Sequence, residues 1–327
     1  MTIPVRFAYL AAFIGVCGHA SSEFFAKLSG VAGAEVSVWR YTIGALGLVL
    51  WALAIPSARA KLLAPLTEDG RDGAIWFLIL SLVGVSATYL AFHWALDFAS
   101  VIQVATVVTT IPIFVGLTNL VVNGQALTTV KIVTGALATL GVAAMLTDGY
   151  LDQLAAEGSA FFGVLLAVFC AAFGSAYAVL VKPIIARHGA LPVTALSLAI
   201  GGVGLWLVVG VAWGVWVDLT DLFARPPSEA SVGVNPGWWL LILALWNTTI
   251  TQILWFGGLA AAPDITRASY LFFLKPVIAA VLAIFILAAE PTALEFVAIA
   301  LVTGCVLVEL FWPRISALLA PGSAAPR

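Results

Sequence analysis

The chain has 327 residues, of which 63% are hydrophobic and 9% charged, and its mean hydropathy is +1.12. A soluble domain carries roughly 45–50% apolar and about 25% charged residues, so this chain could not cover its core with polar surface. Lipid must therefore be its main solvent. The formal net charge of −2 argues against a nucleic-acid partner, because no stripe of Lys and Arg exists to meet phosphates.

Long apolar runs, bounded by proline, glycine or charge, follow one another along the chain. Each is about 20 residues long, the length of a helix that crosses a bilayer. In chain order the predicted helices cover residues 5–27, 36–55, 74–96, 100–122, 129–147, 160–181, 193–216, 238–260, 267–288 and 293–312. The first run resembles a signal peptide, but we predict a retained helix because the repeat described below requires it. Unbroken runs rather than short alternating strands predict an all-α integral membrane protein.

The distribution of Lys and Arg predicts the orientation, since cytoplasmic connections carry more of both. On the side of the N-terminus the predicted connections hold Arg6, Arg59, Lys61, Arg71, Lys131, Lys182, Arg187, Arg267, Arg314 and Arg327. The opposite side holds only Lys27, Arg40 and Arg225. We therefore predict that both termini are cytoplasmic.

The two halves of the chain, 1–150 and 151–327, resemble each other. Leu96 precedes Pro112 by 16 residues in the first half, and Leu259 precedes Pro276 by 17 in the second. Five predicted spans per half is an odd number, so the second half must insert upside down. The sequence thus predicts ten transmembrane helices built as two inverted five-helix repeats, a recurring transporter design with the substrate at the midplane.

Polar and ionisable groups inside membrane spans are costly, so we expect them to face a central cavity. Lys275 and His93 could meet a carboxylate, while Glu23, Gln103 or Asn247 could accept hydrogen bonds from an ammonium. Aromatic rings could hold an apolar side chain. The predicted substrate-binding residues are His19, Glu23, Tyr89, His93, Trp94, Gln103, Thr106, Trp246, Asn247, Gln252, Trp255, Tyr270, Phe273 and Lys275.

Some of these residues have a structural alternative. His19 and Glu23, spaced i, i+4, could form a proton relay or a satisfied structural pair. Isolated threonines such as Thr106 commonly bond the carbonyl of their own preceding turn. Pro112 and Pro276 are predicted in mid-helix, where each removes a backbone hydrogen bond. We predict that they act as hinges, with a purely structural kink as the alternative.

Several motifs together resemble a known family. They are Trp39-Arg40-Tyr41, then Gly84, Tyr89, Ala95-Leu96, Ser100 and Pro112, and finally Lys275-Pro276, Glu290-Pro291-Thr292 and Gly304. Across residues 7–312 the chain resembles the ten-helix EamA-type members of the drug/metabolite transporter superfamily. One departure is Asn123-Gly124-Gln125-Ala126, which stands where the family usually carries an acid like Glu290.

The resemblance implies an exporter of amino acids and related metabolites in the bacterial inner (plasma) membrane, and the aromatic richness resembles the aromatic amino-acid exporter branch. We predict a secondary transporter working by alternating access rather than an enzyme. Exporters of cationic drugs, a lipid-modifying membrane enzyme and a passive pore are the alternatives. The absence of a P-loop, of His-Glu-x-x-His and of Gly-x-Ser-x-Gly argues against direct ATP coupling and intramembrane hydrolysis.

No cofactor or metal is predicted. The three cysteines, Cys17, Cys170 and Cys305, each stand alone in an apolar run, which suits neither a metal site nor a disulfide framework. The expected partners are a small-molecule substrate and the lipid bilayer. Gly210 and Gly214 form a GxxxG pattern that favours close helix packing, so we predict a monomer or a weak homodimer.

Overall fold

The computed structural model describes residues 3–31, 33–99, 101–147, 158–229, 231–287 and 292–319, and ten helical segments follow one another within them. The first five are α1 (Ala8–Ala20 and Ser22–Leu28), α2 (Gly33–Ala54), α3 (Gly70–Ser81, a π-helical turn Leu82–Ala87, and Thr88–Ala95), α4 (Val101–Thr109 and Ile111–Asn123) and α5 (Thr129–Leu146). The second five are α6 (Ser159–His188), α7 (Ala190–Trp213), α8 (Pro236–Ala244, a π-helical turn Leu245–Ile250, and Thr251–Ala261), α9 (Ile265–Ser269, a 3₁₀ turn Tyr270–Phe273, and Leu274–Leu287) and α10 (Ala293–Leu319).

Among the described residues, eight helices are long and apolar enough to cross a membrane. The other two, α1 and α9, are interrupted near their middles. The prediction of an all-α membrane protein is confirmed, and a count of ten spans is consistent with these segments. The sequence placed the ends of α6 and α10 too early, since both continue through a proline, Pro183 and Pro313. Lipid offers no other partner for backbone groups, so continuing the helix costs less than ending it there.

The helices of the two halves pack in an exchanged pattern. Helix α1 packs against α8 just as its counterpart α6 packs against α3, and the equivalent pairs α2–α7 and α5–α10 contact each other directly. The α1–α8 contact depends on missing side chains: a Cβ at Gly15 would collide with the backbone of Trp255, and one at Gly258 with the backbone of Ala12. Close backbone approach at small residues drives helix association where lipid removes the hydrophobic contribution.

Irregular turns recur at matching places in the two halves. The π-helical turns lie in α3 and α8, and the interruptions at Thr110 and at Tyr270–Phe273 lie in α4 and α9. Pro112 is the second residue of the second part of α4, and Pro276 is the third residue of the last part of α9. The prediction of mid-helix prolines is therefore corrected: each stands in the first turn after a break, where its missing N–H leaves no gap in the helix.

The first glycine of the predicted GxxxG pattern on α7 packs within the chain. A Cβ at Gly210 would run into the ring of Trp216, and Gly214 ends the helix in the left-handed region with φ of +70°. The prediction of a monomer or a weak homodimer stays a prediction.

Candidate functional site

A cavity lies between the two halves, near the middle of the bundle. Helices α1, α2 and α3 supply one part of its wall, α4 and α6 another, and α8 and α9 close it. The described lining residues are His19, Ser22, Arg40, Tyr41, Thr88, Tyr89, Phe92, Val108, Ile111, Val115, Cys170, Gly174, Ala178, Trp255, Phe256, Phe272 and Lys275.

Arg40 brings a fixed positive charge to the cavity. It lies in the second turn of α2, only 3% exposed, and reaches across to α8. Its Nε donates to Thr248 Oγ1 at 3.0 Å, and its Nη2 donates to the carbonyl oxygen of Asn247 at 3.2 Å. Both acceptors belong to the π-helical turn of α8, where the wider ring of the turn frees carbonyls from regular helix bonding. The π turn thus anchors the guanidinium at the cavity wall.

Lys275 supplies a second cation. Its Nζ lies 5.7 Å from the ring centre of Phe92 on α3 and 5.9 Å from that of Phe272 on α9, within the range of cation–π attraction. None of the lining residues that the structure describes has a carboxylate. The side chain of Glu23, which was predicted at this site, lies outside the described part of the chain. Arg40 and Lys275 thus both bring cationic side chains to the wall.

Aromatic rings surround these charges. Tyr41 stacks on Tyr89 with ring centres 4.0 Å apart, and Trp255 lies 5.3 Å from Phe272. His19 contacts both of the latter rings, at 6.0 Å from Trp255 and 5.5 Å from Phe272. Flat apolar faces beside positive charges suit a ligand that has an acidic end and an apolar or aromatic body.

Two lining residues hold polar atoms without a hydrogen-bond partner in the described structure. They are Nε2 of His19 and Oγ1 of Thr88, both buried. An unpaired buried polar atom costs free energy unless water or a ligand satisfies it. These two atoms are therefore available to a bound molecule.

Of the predicted binding residues, the structure brings His19, Tyr89, Trp255 and Lys275 to the cavity wall. Nine others are not among its described lining residues: His93, Trp94, Gln103, Thr106, Trp246, Asn247, Gln252, Tyr270 and Phe273. Most of them are buried behind the wall or lie towards an end of the bundle.

The buried residues behind the wall hold the helices in place. His93 Nδ1 hydrogen-bonds to Ser37 Oγ at 2.6 Å, which ties α3 to α2. Asn247 Nδ2 donates to the carbonyl oxygen of Gly18 at 2.5 Å, and Trp246 Nε1 donates to Ser21 Oγ at 3.2 Å. Helix α8 therefore supplies hydrogen bonds to α1 at its interruption. Gln103 and Thr106 are buried on α4, and Gln252 on α8 keeps both amide atoms unpaired within the described structure.

The remaining predicted residues lie away from the middle. Trp94 packs edge-on against Phe162 and Trp213, near the end of the bundle where α3 finishes. Tyr270 and Phe273 lie in the 3₁₀ turn of α9, and the Tyr270 hydroxyl donates to the carbonyl oxygen of Lys131. The turn directs Phe272, rather than Phe273, into the cavity.

Sequence reasoning missed Arg40, Tyr41, Thr88, Phe92 and Phe272 as cavity residues. Arg40 was counted with a connection because it lies near the start of its predicted helix, 36–55, and the structure instead buries it inside α2 (Gly33–Ala54). A signal was present, because an arginine followed by a tyrosine inside an apolar run is expensive in lipid and is expected to face a cavity.

A comparison with protein families matches both halves of the chain to the same family. The model of the EamA-like transporter family matches residues 6–147 and again 161–310. A search of curated proteins found no match. One protein of known crystal structure is 18% identical to this chain, with a TM-score of 0.74, over 95% of this chain and 99% of the other. At that identity the similarity demonstrates the fold alone.

Proposed function

Because the chain belongs to the EamA-like transporter family, and so is a membrane transporter of small molecules, we propose that it exports metabolites that carry a carboxylate and an apolar body. Amino acids are the favoured class, with aromatic ones first among them. Transport is secondary and proceeds by alternating access to the central cavity.

The observation that carries this proposal is the pairing of Arg40 with Lys275 on a wall of aromatic rings. Guanidinium and ammonium groups are the natural partners of a carboxylate, and such charge-assisted bonds are stronger than neutral ones. Cationic drugs are the main competing substrates.

The aromatic residues support the proposal that the substrate has an apolar body. Tyr89, Trp255 and Phe272 present ring faces and edges to the same space as the two cations. A ligand ring gains from offset or edge-on contact with such faces beyond the burial of its area. His19 Nε2 can accept a hydrogen bond from a substrate ammonium when the ring proton is on Nδ1. Thr88 Oγ1 can accept one when its hydroxyl hydrogen points elsewhere.

Purified protein in liposomes tests the substrate class. Vesicles preloaded with unlabelled tryptophan should accumulate labelled tryptophan and phenylalanine by exchange, and to a smaller extent threonine. A labelled cationic dye and tryptophan amide, which lacks the carboxylate, serve as matched controls and should not exchange. If none of the three amino acids exchanges, the amino-acid proposal fails. Stimulation of uptake by substrate on the far side also distinguishes a carrier from a passive pore.

For the orientation we propose a bacterial inner membrane with both termini in the cytoplasm, supported by the excess of Lys and Arg on the side of the N-terminus. A reporter enzyme that is active only in the periplasm, fused after Arg327, should be inactive. The same reporter placed in the connection between α7 and α8, after Arg225, should be active. The reverse pattern would overturn the orientation and leave the fold unaffected.

A further inference from the structure

Four charged side chains meet at the end of the bundle where α4 joins α5 and α8 joins α9. Lys131 lies in the first turn of α5, Asp264 precedes α9, Arg267 lies in the first part of α9, and Glu309 lies on α10. They thus join the first half of the chain to the second. We refer to these four residues as the charge cluster.

The charge cluster is bonded closely and is poorly exposed. Lys131 Nζ lies 2.6 Å from Asp264 Oδ2, and Arg267 Nε lies 3.2 Å from Glu309 Oε1. Arg267 Nη2 lies 3.8 Å from Asp264 Oδ2, which links the two pairs. The side chains of Lys131 and Glu309 are 4% and 1% exposed. Two cations and two anions balance, so the cluster as a whole is neutral.

The neighbours of Asp264 keep its carboxyl group ionised. Burial alone would raise the pKa of this carboxyl group, but the hydrogen bonds from the Lys131 ammonium and the Arg267 backbone N–H outweigh it and lower the pKa below its ordinary value. The side chain therefore stays ionised and bridges α5 to α9. Buried pairs of this kind are strongly disrupted when one partner is removed, because the other is left as an uncompensated charge.

Contacts between the cavity and this end join the helices that carry the charge cluster. Val115 on α4 and Phe272 on α9 line the cavity, and one turn further along α4 Asn119 Nδ2 donates to Thr266 Oγ1 at 3.2 Å. The carbonyl oxygen of Lys131 accepts from the Tyr270 hydroxyl. Contacts at this end thus join α4 to α9, α5 to α9 and α5 to α10.

The opposite end is held less firmly among the residues described. There the ion pair that joins the two halves is Arg225 with Glu35, whose side chains are 41% and 27% exposed. Exposed pairs contribute little, because water screens them and their side chains lose freedom on pairing. The contrast indicates a conformation that is closed at the α4–α5 end.

We propose that Lys131, Asp264, Arg267 and Glu309 form a gate that must separate for the cavity to open at the α4–α5 end. When the gate parts, α4 and α5 move with the first half and α9 and α10 with the second, so the Lys131–Asp264 pair breaks while Arg267 and Glu309 keep each other. Lys131 and Asp264 then gain water in place of each other. The proposal rests on the transporter assignment and not on the identity of the substrate.

A native cysteine reports the state of the gate. Cys170 lines the cavity, and the chain has only three cysteines, so Cys17→Ala/Cys305→Ala leaves Cys170 as the single thiol. Sealed vesicles of both orientations are treated with a membrane-impermeant maleimide, and a C-terminal tag with a protease site reports which end faces out. The measured quantity is the rate of Cys170 labelling from each end.

The test variant is Asp264→Asn/Glu309→Gln, which removes both acids at constant size. An asparagine before α9 would still cap the first turn of that helix, and the two cations left behind should repel. We expect labelling from the α4–α5 end to rise at least about 5-fold, with labelling from the other end unchanged or slower. Asp69→Asn breaks a partly exposed ion pair at the same end and is the matched control, for which no change is expected.

Unchanged labelling of a variant that still elutes as a folded monodisperse protein would overturn the gate. If the double variant does not fold, Asp264→Asn alone should raise the labelling rate by a smaller factor, and no rise with that variant also overturns the proposal. Because no substrate is used, failure here is distinct from failure of the amino-acid exchange assay.

Discussion

The rings of Tyr41 and Tyr89 stack face to face, with centres 4.0 Å apart and planes inclined by 20°. Tyr41 comes from α2 and Tyr89 from α3, directly after the π-helical turn. The stack is also beside Arg40, whose guanidinium carbon lies 5.2 Å from the Tyr41 ring centre. It thus places a flat ring surface next to the guanidinium on the cavity wall.

Truncation of this stack should impair binding of aromatic substrates. Tyr89→Ala removes an aromatic pair worth about 0.5–1.5 kcal/mol beyond its buried area, so we expect affinity for tryptophan to fall about 3- to 10-fold or more. Threonine should be affected less, because it has no ring to lose. Tyr89→Phe keeps the stack and is the control. Equal losses for tryptophan and threonine would mean that the stack supports only the fold.

Replacement of Arg40 should discriminate between charge and geometry. Arg40→Met removes a hydrogen-bonded charge worth about 1.5–3 kcal/mol, so KM for amino-acid exchange should rise about 10- to 100-fold. Arg40→Lys keeps the charge without the forked donors, so its KM should lie between those of the unaltered chain and Arg40→Met. Arg314→Met, at an exposed site on α10, is the control. An unchanged KM in folded Arg40→Met protein would remove Arg40 from the binding site.

The two prolines should influence the rate of transport rather than binding. Pro112→Ala and Pro276→Ala restore a backbone N–H next to each break, which allows a continuous and stiffer helix. We expect slower exchange at saturating substrate with KM little changed, and the double variant should be slower than either single one. Normal rates in both single variants would assign the prolines a packing role. Pro65→Ala, in a short helix before α3, is a proline control away from the cavity.

Acid should weaken the contact between Asp69 and the end of α6. Burial would raise the pKa of this carboxyl group, but hydrogen bonds from His188 and Arg187 outweigh it and lower the pKa. A carboxyl group whose pKa is lower in the folded state stabilises the fold at pH values above its unfolded-state pKa, about 3.9. This contribution to stability is lost as the pH falls through the folded-state pKa.

Asp69→Asn should therefore lower the melting temperature slightly at pH 7, and the difference from the unaltered chain should shrink as the pH falls below about 3.9. Arg187 is 59% exposed, which limits the effect to about 0–1 kcal/mol. Melting curves in detergent across this pH range provide the measurement, with Asp221→Asn as an exposed control. A difference that persists at low pH would mean that the contact does not depend on the charge.

The sequence predicted the bundle better than it predicted the cavity wall. Apolar runs and their ends are sufficient to locate helices, because lipid leaves the backbone few other choices. The assignment of faces assumed a regular helix of 3.6 residues per turn. On α8 Trp255 reaches the cavity while Trp246, Asn247 and Gln252 do not, and Trp246 and Asn247 lie in the π-helical turn, where that spacing does not hold.

Arg40 was missed for a different reason. It was counted with the connections because it lies near the start of its predicted helix, 36–55. Only the contact with the π turn of α8, from the other half of the chain, accounts for the burial of its charge. Such long-range pairing is not visible in local patterns.

The π-helical turns of α3 and α8 also bear on the history of the chain. A turn of this kind holds one residue more than an α-helical turn would, and it is usually kept where it serves a function. The turns begin at Leu82 and Leu245, at matching places in the two family repeats. An extra residue in the same helix of both repeats is the pattern that duplication of a half-chain with the bulge would leave. In this chain the turn of the second repeat holds the arginine of the first.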